Sequence, residues 1–169
     1  MCRAHGMMSP MKFRTELSYD APPADVFAML SDPAFRERVC EAQHAVSHDV
    51  TIEAAGAGVN VTLETEQNTS GLPSIAKKIV GDTTRAILEE TWKDGSGASV
   101  SITAPGKPTN ATGTVRLVEA GAGTTEVVEL DVKVKVPLIG GKLEKLMVDS
   151  IKEGYDIEQQ VGRDWLAGR

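Results

Sequence analysis

Hydrophobic and polar residues alternate along most of this chain, and a period of two is typical of strands with one wet and one buried face. In segment 11–19, MKFRTELSY, every second position from Met11 to Tyr19 shares a face, and most of these positions are apolar or aromatic. The alternation is strongest in segment 124–136, where apolar positions from Val128 onward alternate with charged ones. The same pattern predicts five further strands, over residues 45–55, 59–67, 85–94, 98–104 and 111–120.

Two short helices are predicted directly after the first strand. Segment 20–32 carries Pro22 and Pro23, which suit the first turn of a helix, and segment 31–43 carries Pro33 in the equivalent place. The second helix is predicted to turn Phe35, Val39 and Cys40 inward.

A long helix is predicted to end the chain. Pro137 cannot donate a hydrogen bond to a neighbouring strand, so it ends the last strand, and Gly140 and Gly141 let the backbone turn sharply. At a rise of ~1.5 Å per residue, some ~28 residues of helix reach ~42 Å, about the width of the sheet. Its predicted inward stripe consists of Leu143, Met147, Ser150, Gly154, Ile157, Val161 and Trp165.

These elements predict an α+β fold in the order βααββββββα, with residues 75–80 left open as a turn or a short helix. Strands joined in succession by short turns form an antiparallel sheet, here of about seven strands. The apolar face of such a sheet needs a cover, and the C-terminal helix is the predicted element long enough to supply it. We therefore expect a curved antiparallel sheet wrapped around that helix.

The composition fits a single domain that needs no metal or disulfide to hold its core. The chain has 169 residues, 41% of them hydrophobic, and we expect one domain over residues 11–169 behind a disordered tail at 1–10. A net charge of −6 and an aromatic content of 4% argue against a nucleic-acid partner, which needs a basic face and stacking platforms.

The sequence also predicts a cytoplasmic protein without stable membrane insertion. No apolar run reaches the ~18–20 residues of a membrane span, and the N-terminus lacks the apolar centre of a secretory signal. Cys2 and Cys40 are interpreted as free thiols in a reducing compartment. The oligomeric state is left open by these patterns.

The element order and the junction at residues 136–166, VPLIGGKLEKLMVDSIKEGYDIEQQVGRDWL, resemble the START-like superfamily. Its helix-grip fold is shared by polyketide cyclases and lipid-transfer domains. The Pro-Leu-Ile-Gly-Gly step, with Glu144 a few residues into the helix, resembles more narrowly a bacterial START-like family of unknown function. The resemblance covers residues 11–167 and implies a cavity between sheet and helix that holds an apolar small molecule; it does not imply catalysis.

Four candidate ligand-binding residues come from the long helix. Ser150 and Gly154 are small residues four apart on the predicted inward stripe, which either leave room for a ligand or allow close packing on the sheet. Met147 lies on the same stripe. Tyr155 lies beside the stripe, where its hydroxyl either binds a polar group of a ligand or its ring covers the sheet edge.

Three further candidates come from the strands. Glu90 and Trp92 share a strand face, and if that face points inward they project a carboxylate and an indole into the cavity. The opposite phase of this strand is also possible, as is a position of Glu90 at the cavity mouth or in a surface ion pair. His48 is in phase with apolar neighbours and is either an acid–base group or a histidine with ordinary structural contacts.

The sequence contains no phosphate loop, dinucleotide fingerprint, nucleophile elbow or spaced set of metal ligands. We therefore predict no cofactor and no metal, and we exclude nucleotide hydrolases, dehydrogenases and serine hydrolases. The leading hypothesis is a module that binds a hydrophobic or amphipathic small molecule, such as a lipid or a polyketide-like compound. The alternatives are a cyclase- or aromatase-type enzyme that uses Glu90 or His48, and an interaction protein with a filled core.

Overall fold

The computed structural model describes residues 9–169, so Cys2 and most of the predicted tail lie outside the described residues. Its strands are β1 (Met11–Tyr19), β2 (Ser47–Ala55), β3 (Gly58–Asn68), β4 (Thr83–Asp94), β5 (Gly97–Thr103), β6 (Thr109–Ala120) and β7 (Gly123–Val134). Its helices are α1 (Pro23–Leu30), α2 (Pro33–Ala42), α3 (Ser74–Val80) and α4 (Gly140–Leu166).

The strands form one curved antiparallel sheet in the order β1-β7-β6-β5-β4-β3-β2. Strands β2 to β7 follow one another as neighbours, whereas β1 pairs with β7 at the opposite edge from β2. Helices α1 and α2 therefore carry the chain from one edge of the sheet to the other. The predicted α+β helix-grip architecture is confirmed, and the ambiguous segment 75–80 belongs to a short helix, α3.

The inward face of the sheet follows the predicted alternation. In the paired strands β1 and β7, buried side chains recur at every second position, for example Leu17 in β1 and Val128 and Leu130 in β7. Strand β7 ends at Val134, two residues earlier than the predicted alternation. The core lies between this face and the helices α1, α2 and α4.

The start of α4 is fixed to the end of β7. Glu144 is buried, and its Oε1 accepts a hydrogen bond from the backbone N–H of Val134 at 3.1 Å. A side chain at Gly140 would bring its Cβ within 2.8 Å of the Val134 carbonyl oxygen, so this close approach requires glycine. The two residues hold the helix against the last strand.

The predicted inward stripe of α4 is wrong in its middle. Ser150 is exposed and Gly154 is only half-buried, whereas Tyr155, Glu158 and Gly162 are buried against the sheet. The buried face is thus rotated by about one position: Gly162 packs closely against Tyr19 and Met29, and the carboxyl group of Glu158 is directed at Arg36 of α2. Apolar residues alone define a different stripe and give the wrong rotation.

Substitution at Gly162 tests this rotation of α4. A Cβ at this position would lie 2.6 Å from Tyr19 Cε1 and 3.1 Å from Met29 Cε, so we expect Gly162→Ala to destabilise the protein by about 1–3 kcal/mol. At Gly141 an added Cβ meets nothing within 4 Å, so Gly141→Ala is the matched control and is expected to be neutral or slightly stabilising. Equal urea midpoints for the two variants would contradict the observed packing.

Candidate functional site

A buried arginine is the centre of the polar interior. Arg36 lies on the inward face of α2, one position from Phe35, and is 3% exposed. Its Nε donates to the Leu30 carbonyl oxygen at 2.7 Å. Its Nη2 and Nη1 donate to Glu90 Oε2 and Oε1 at 2.6 and 3.3 Å. This two-pronged contact is the arrangement in which a guanidinium is paired best inside a protein.

Glu90 is the main partner of this arginine. It projects inward from β4, and its Oε2 also accepts a hydrogen bond from Trp92 Nε1 at 2.8 Å. The inward phase of β4, which the sequence left open, is therefore the observed one. Phe27 of α1 packs on the Trp92 ring, with centroids 5.4 Å apart. Together these contacts place a charged pair beneath α1 and α2.

Two more carboxyl groups face the same guanidinium. Glu158 of α4 is 6% exposed, and its Oε1 lies 3.8 Å from Arg36 Nη1, too far for a hydrogen bond. Glu126 of β7 is 2% exposed, and its Oε2 has no hydrogen-bond partner. One cation therefore faces three acidic side chains, in a region from which water is largely excluded.

Burial and repulsion raise the pKa values of two of these acids. Burial raises the pKa of Glu158 to about 7; Arg36 opposes this rise, and Glu90 adds to it. Burial also raises the pKa of Glu126 well above its ordinary value, and the charges of Glu158 and Glu90 raise it further. Like charges in a low-dielectric site cannot all ionise, so protonation replaces the missing cations.

Two tyrosine hydroxyl groups adjoin the acids. The hydroxyl oxygens of Tyr19 and Tyr155 are buried and have no well-formed hydrogen bond. Burial, followed by the nearby carboxylates, raises the pKa of both hydroxyls, so they stay protonated. Tyr155 also stacks on Phe13, with ring centroids 6.3 Å apart. Unpartnered buried polar atoms are rare in proteins and are typical of sites that bind water or a ligand.

A partly open pocket of about 370 Å³ lies between α2, α4 and strands β3 to β5. Most of its surface is apolar and comes from side chains such as Leu63, Leu88 and Ile102. Its polar lining includes Arg36, Tyr155 and Glu158, here called the polar wall. Further polar residues of the lining are Gln43, Thr65, Gln67, Asn68, Ser150 and Glu153. The polar wall is also the boundary of the buried acidic cluster, so the pocket and the cluster form one site.

The structure separates the sequence-predicted site residues into three groups. Ser150, Gly154 and Tyr155 line the pocket. Glu90 and Trp92 lie behind it and hold Arg36 in place. Met147 is half-buried against the core, and His48 is half-buried on β2; neither lines the pocket.

The geometry at Gly154 supports both interpretations of the small residues on α4. Its carbonyl oxygen accepts a hydrogen bond from Gln43 Nε2 at 3.0 Å, which links the end of α2 to α4 beside the pocket. An added Cβ would lie 3.3 Å from that same nitrogen, so the helices approach closely here. Gly154 therefore serves close packing and leaves pocket space at the same point.

Three charged residues on buried faces, Arg36, Glu126 and Glu158, were missed by reasoning from the sequence. Each lies at a strand or helix spacing from a residue that is buried. Glu126 is in phase with Val128 in β7, Arg36 lies four positions before Cys40, and Glu158 lies three after Tyr155. The signals were present, but charged side chains are almost never fully buried unless paired, and the partners are distant in sequence.

Solved structures with the same architecture come from several bacteria. Protein TTHA0849 from Thermus thermophilus matches 91% of this chain and 95% of its own, with a TM-score of 0.65 and 19% identity. A START superfamily protein from Mycobacterium smegmatis matches 92% and 98%, with a TM-score of 0.59 and 15% identity. The di-domain ARO/CYC protein BexL, of the BE-7585A biosynthetic pathway, matches 91% and 49%, with a TM-score of 0.57 and 17% identity. The fold is therefore START-like.

The chain belongs to the family described as "Protein of unknown function (DUF2505)", whose model matches residues 14–166. Uncharacterized protein Rv0481c of Mycobacterium tuberculosis is 32% identical over 84 residues, which cover 46% of this chain and 48% of that protein. The chain thus spans about half the length of the curated relatives it matches. The predicted membership of a family of unknown function is confirmed, and its members' predicted START-like fold is the fold observed for this chain. None of the helices within residues 9–169 is both long and apolar enough to cross a membrane.

The protonated acids predict an unusual dependence of stability on pH. Because the folded pKa of Glu158 is raised, from 4.5 to about 7, its stabilising contribution is complete below the unfolded pKa and is lost as the pH rises through the folded pKa. Between about pH 5 and about pH 8, the free energy of unfolding should fall in both proteins. We expect this fall to be about 2 kcal/mol smaller in Glu158→Gln than in wild type. Urea unfolding at the two pH values measures this difference.

Glu153→Gln is the control for this experiment, because Glu153 is an exposed acid on the same helix, at the pocket surface. It should leave the pH dependence of wild type unchanged. If Glu158→Gln shows the same loss of stability with pH as wild type, Glu158 does not hold its proton in the folded state.

Proposed function

We propose that the protein binds a hydrophobic or amphipathic small molecule, such as a lipid or a polyketide-like compound, in the pocket between α4 and the sheet. The observation that carries this proposal is the pocket itself, whose volume of about 370 Å³ is in the ordinary range for small-molecule sites. Apolar surface with a few polar groups on one side is the arrangement that such sites share. We place this activity in the cytoplasm.

Different side chains of the pocket supply the apolar contacts and the polar contacts to the ligand. Leu63, Leu88 and Ile102 supply apolar contact, worth about 25 cal/mol per Å² removed from water. Tyr155 and Glu158 supply polar groups that orient the ligand. Arg36 contributes less directly, because Glu90 and the Leu30 carbonyl already occupy its donors. Glu90 and Trp92 are thus positioning residues for the polar wall.

The comparisons support this proposal at the level of the fold. A START superfamily protein and the di-domain ARO/CYC protein BexL share the architecture of this chain. A shared fold does not transfer a ligand or a reaction, so the pocket lining of this chain carries the argument. His48 and Glu90 do not line the pocket, which gives the cyclase-type alternative no support from those two residues.

A substitution that fills the pocket tests the proposal. Ala86 lines the pocket from β4, so Ala86→Phe is expected to occupy the ligand volume and to weaken binding about tenfold or more. The measurements are native mass spectrometry for a co-purified ligand and titration with the neutral apolar dye N-phenylnaphthylamine. Ala54→Phe, at an exposed position on β2 away from the pocket, is the matched control and should bind as wild type does. Unchanged binding by Ala86→Phe would refute this pocket as the ligand site.

A further inference from the structure

The polar wall and the cluster behind it contain more acidic than basic side chains, and this excess of acids bears on the kind of ligand that the pocket accepts. Both terminal nitrogens of Arg36 are directed at Glu90. Glu158 has only the contact of 3.8 Å with that guanidinium. Arg36 is the basic side chain that opposes the raised pKa values of Glu126, Glu158 and Tyr155. The positive charge here is therefore one guanidinium for three acids.

An unpartnered hydroxyl lies beside the under-compensated acid. Tyr155 is 6% exposed, lines the pocket, and has no hydrogen-bond partner for its hydroxyl oxygen. Glu158, which is 6% exposed, is one helical turn further along the same face of α4 and also lines the pocket. A hydroxyl oxygen and a carboxylate are both acceptors, so the pair can receive the protons of one donor group.

We propose that the polar wall binds the basic nitrogen of an apolar amine, with Glu158 as the carboxylate that pairs with the ammonium and Tyr155 as a hydrogen-bond acceptor beside it. This inference rests on the proposed function and names its ligand class. The apolar body of the amine lies along the side chains of β3 to β5 that line the pocket.

A ligand with the opposite charge fits this wall poorly. A carboxylate head would add a fourth acid to Glu90, Glu126 and Glu158, while the positive charge of Arg36 is already paired with Glu90 and three of its five N–H donors are engaged by Glu90 and Leu30. A neutral alcohol can form hydrogen bonds but supplies no counter-charge for an ionised Glu158. An ammonium is the head group that both supplies hydrogen bonds and provides the cation that favours the ionised form of Glu158.

Binding of an ammonium displaces a proton from Glu158. Nearby positive charge favours the ionised carboxylate, so the acid, whose pKa is raised to about 7 in the free protein, releases its proton when the amine binds. The affinity for the amine is therefore expected to rise between about pH 6 and about pH 8, where alkylamines stay protonated. The groups that face Glu158 are Arg36 and Cys40 from α2, Glu90 from β4, Glu126 from β7, Tyr19 from β1 and Tyr155 from α4.

Three ligands that differ only in their head group test the inference: octylamine, octanol and octanoate. Each displaces N-phenylnaphthylamine from the wild-type protein, from Glu158→Gln and from the control Glu119→Gln, which changes an exposed acid of β6 outside the pocket. We expect wild type and Glu119→Gln to bind octylamine about tenfold more tightly than octanol, and octanoate most weakly. Glu158→Gln should lose this preference for octylamine while its affinity for octanol stays within about twofold.

The outcomes separate this inference from the proposed function. Binding of octanol with no preference for octylamine, or a preference that survives in Glu158→Gln, overturns the inference and leaves the proposed function standing. Failure of all three ligands, and of the dye, overturns both. If Glu158→Gln does not fold, the pH dependence of ligand affinity in the wild-type protein is the test. The affinity for octylamine should rise from about pH 6 to about pH 8 while the affinity for octanol stays constant, and equal pH dependence for both ligands overturns the inference.

Discussion

The buried guanidinium of Arg36 is the constraint on which the rest of this structure depends. A charge taken out of water costs several kcal/mol unless it is paired and hydrogen-bonded, and Arg36 meets this condition through the Leu30 carbonyl and Glu90. These contacts join the two consecutive helices α1 and α2 to β4, which lies 54 residues further along the chain. Glu90 is fixed in turn by Trp92, so the arginine, the carboxylate and the indole act as one polar unit inside an apolar core.

The long helix α4 adds the remaining acid and thereby joins the polar unit to the pocket. Glu144 and Gly140 fix the start of α4 against β7, and Gly162 fixes its last third against β1. Between these two points the helix presents Tyr155 and Glu158 to both the cluster and the pocket. The same packing that closes the core therefore places two titratable groups where a small molecule can reach them.

Local patterns predicted the elements well, because period-two alternation and the Pro137 to Gly141 junction are signals that neighbouring residues carry. The site was harder to predict, since its members come from elements that are far apart in the sequence. Arg36 and Glu158 lie in helices where a charged residue is normally assigned to water. Arg36 is buried because it pairs with Glu90, which is 54 positions away in the sequence, and Glu158 is buried beside that pair. The predicted rotation of α4 was wrong for a related reason: Glu158 and Gly162 lie on its buried face, but neither is counted as apolar when a hydrophobic stripe is read from the sequence. The phase of β4 needed the same long-range information.

The most direct test of the central claim is a double-mutant cycle of Arg36→Met and Glu90→Gln, with stability measured by urea unfolding. Removal of the arginine alone leaves Glu90 buried without its cation and should cost about 3–5 kcal/mol. In the Arg36→Met background, Glu90→Gln is expected to recover about 2 kcal/mol or more of that loss, since the carboxamide needs no counter-charge and still accepts a hydrogen bond from Trp92. Strictly additive losses in the double variant would contradict the claim that this pair holds the interior of the protein together.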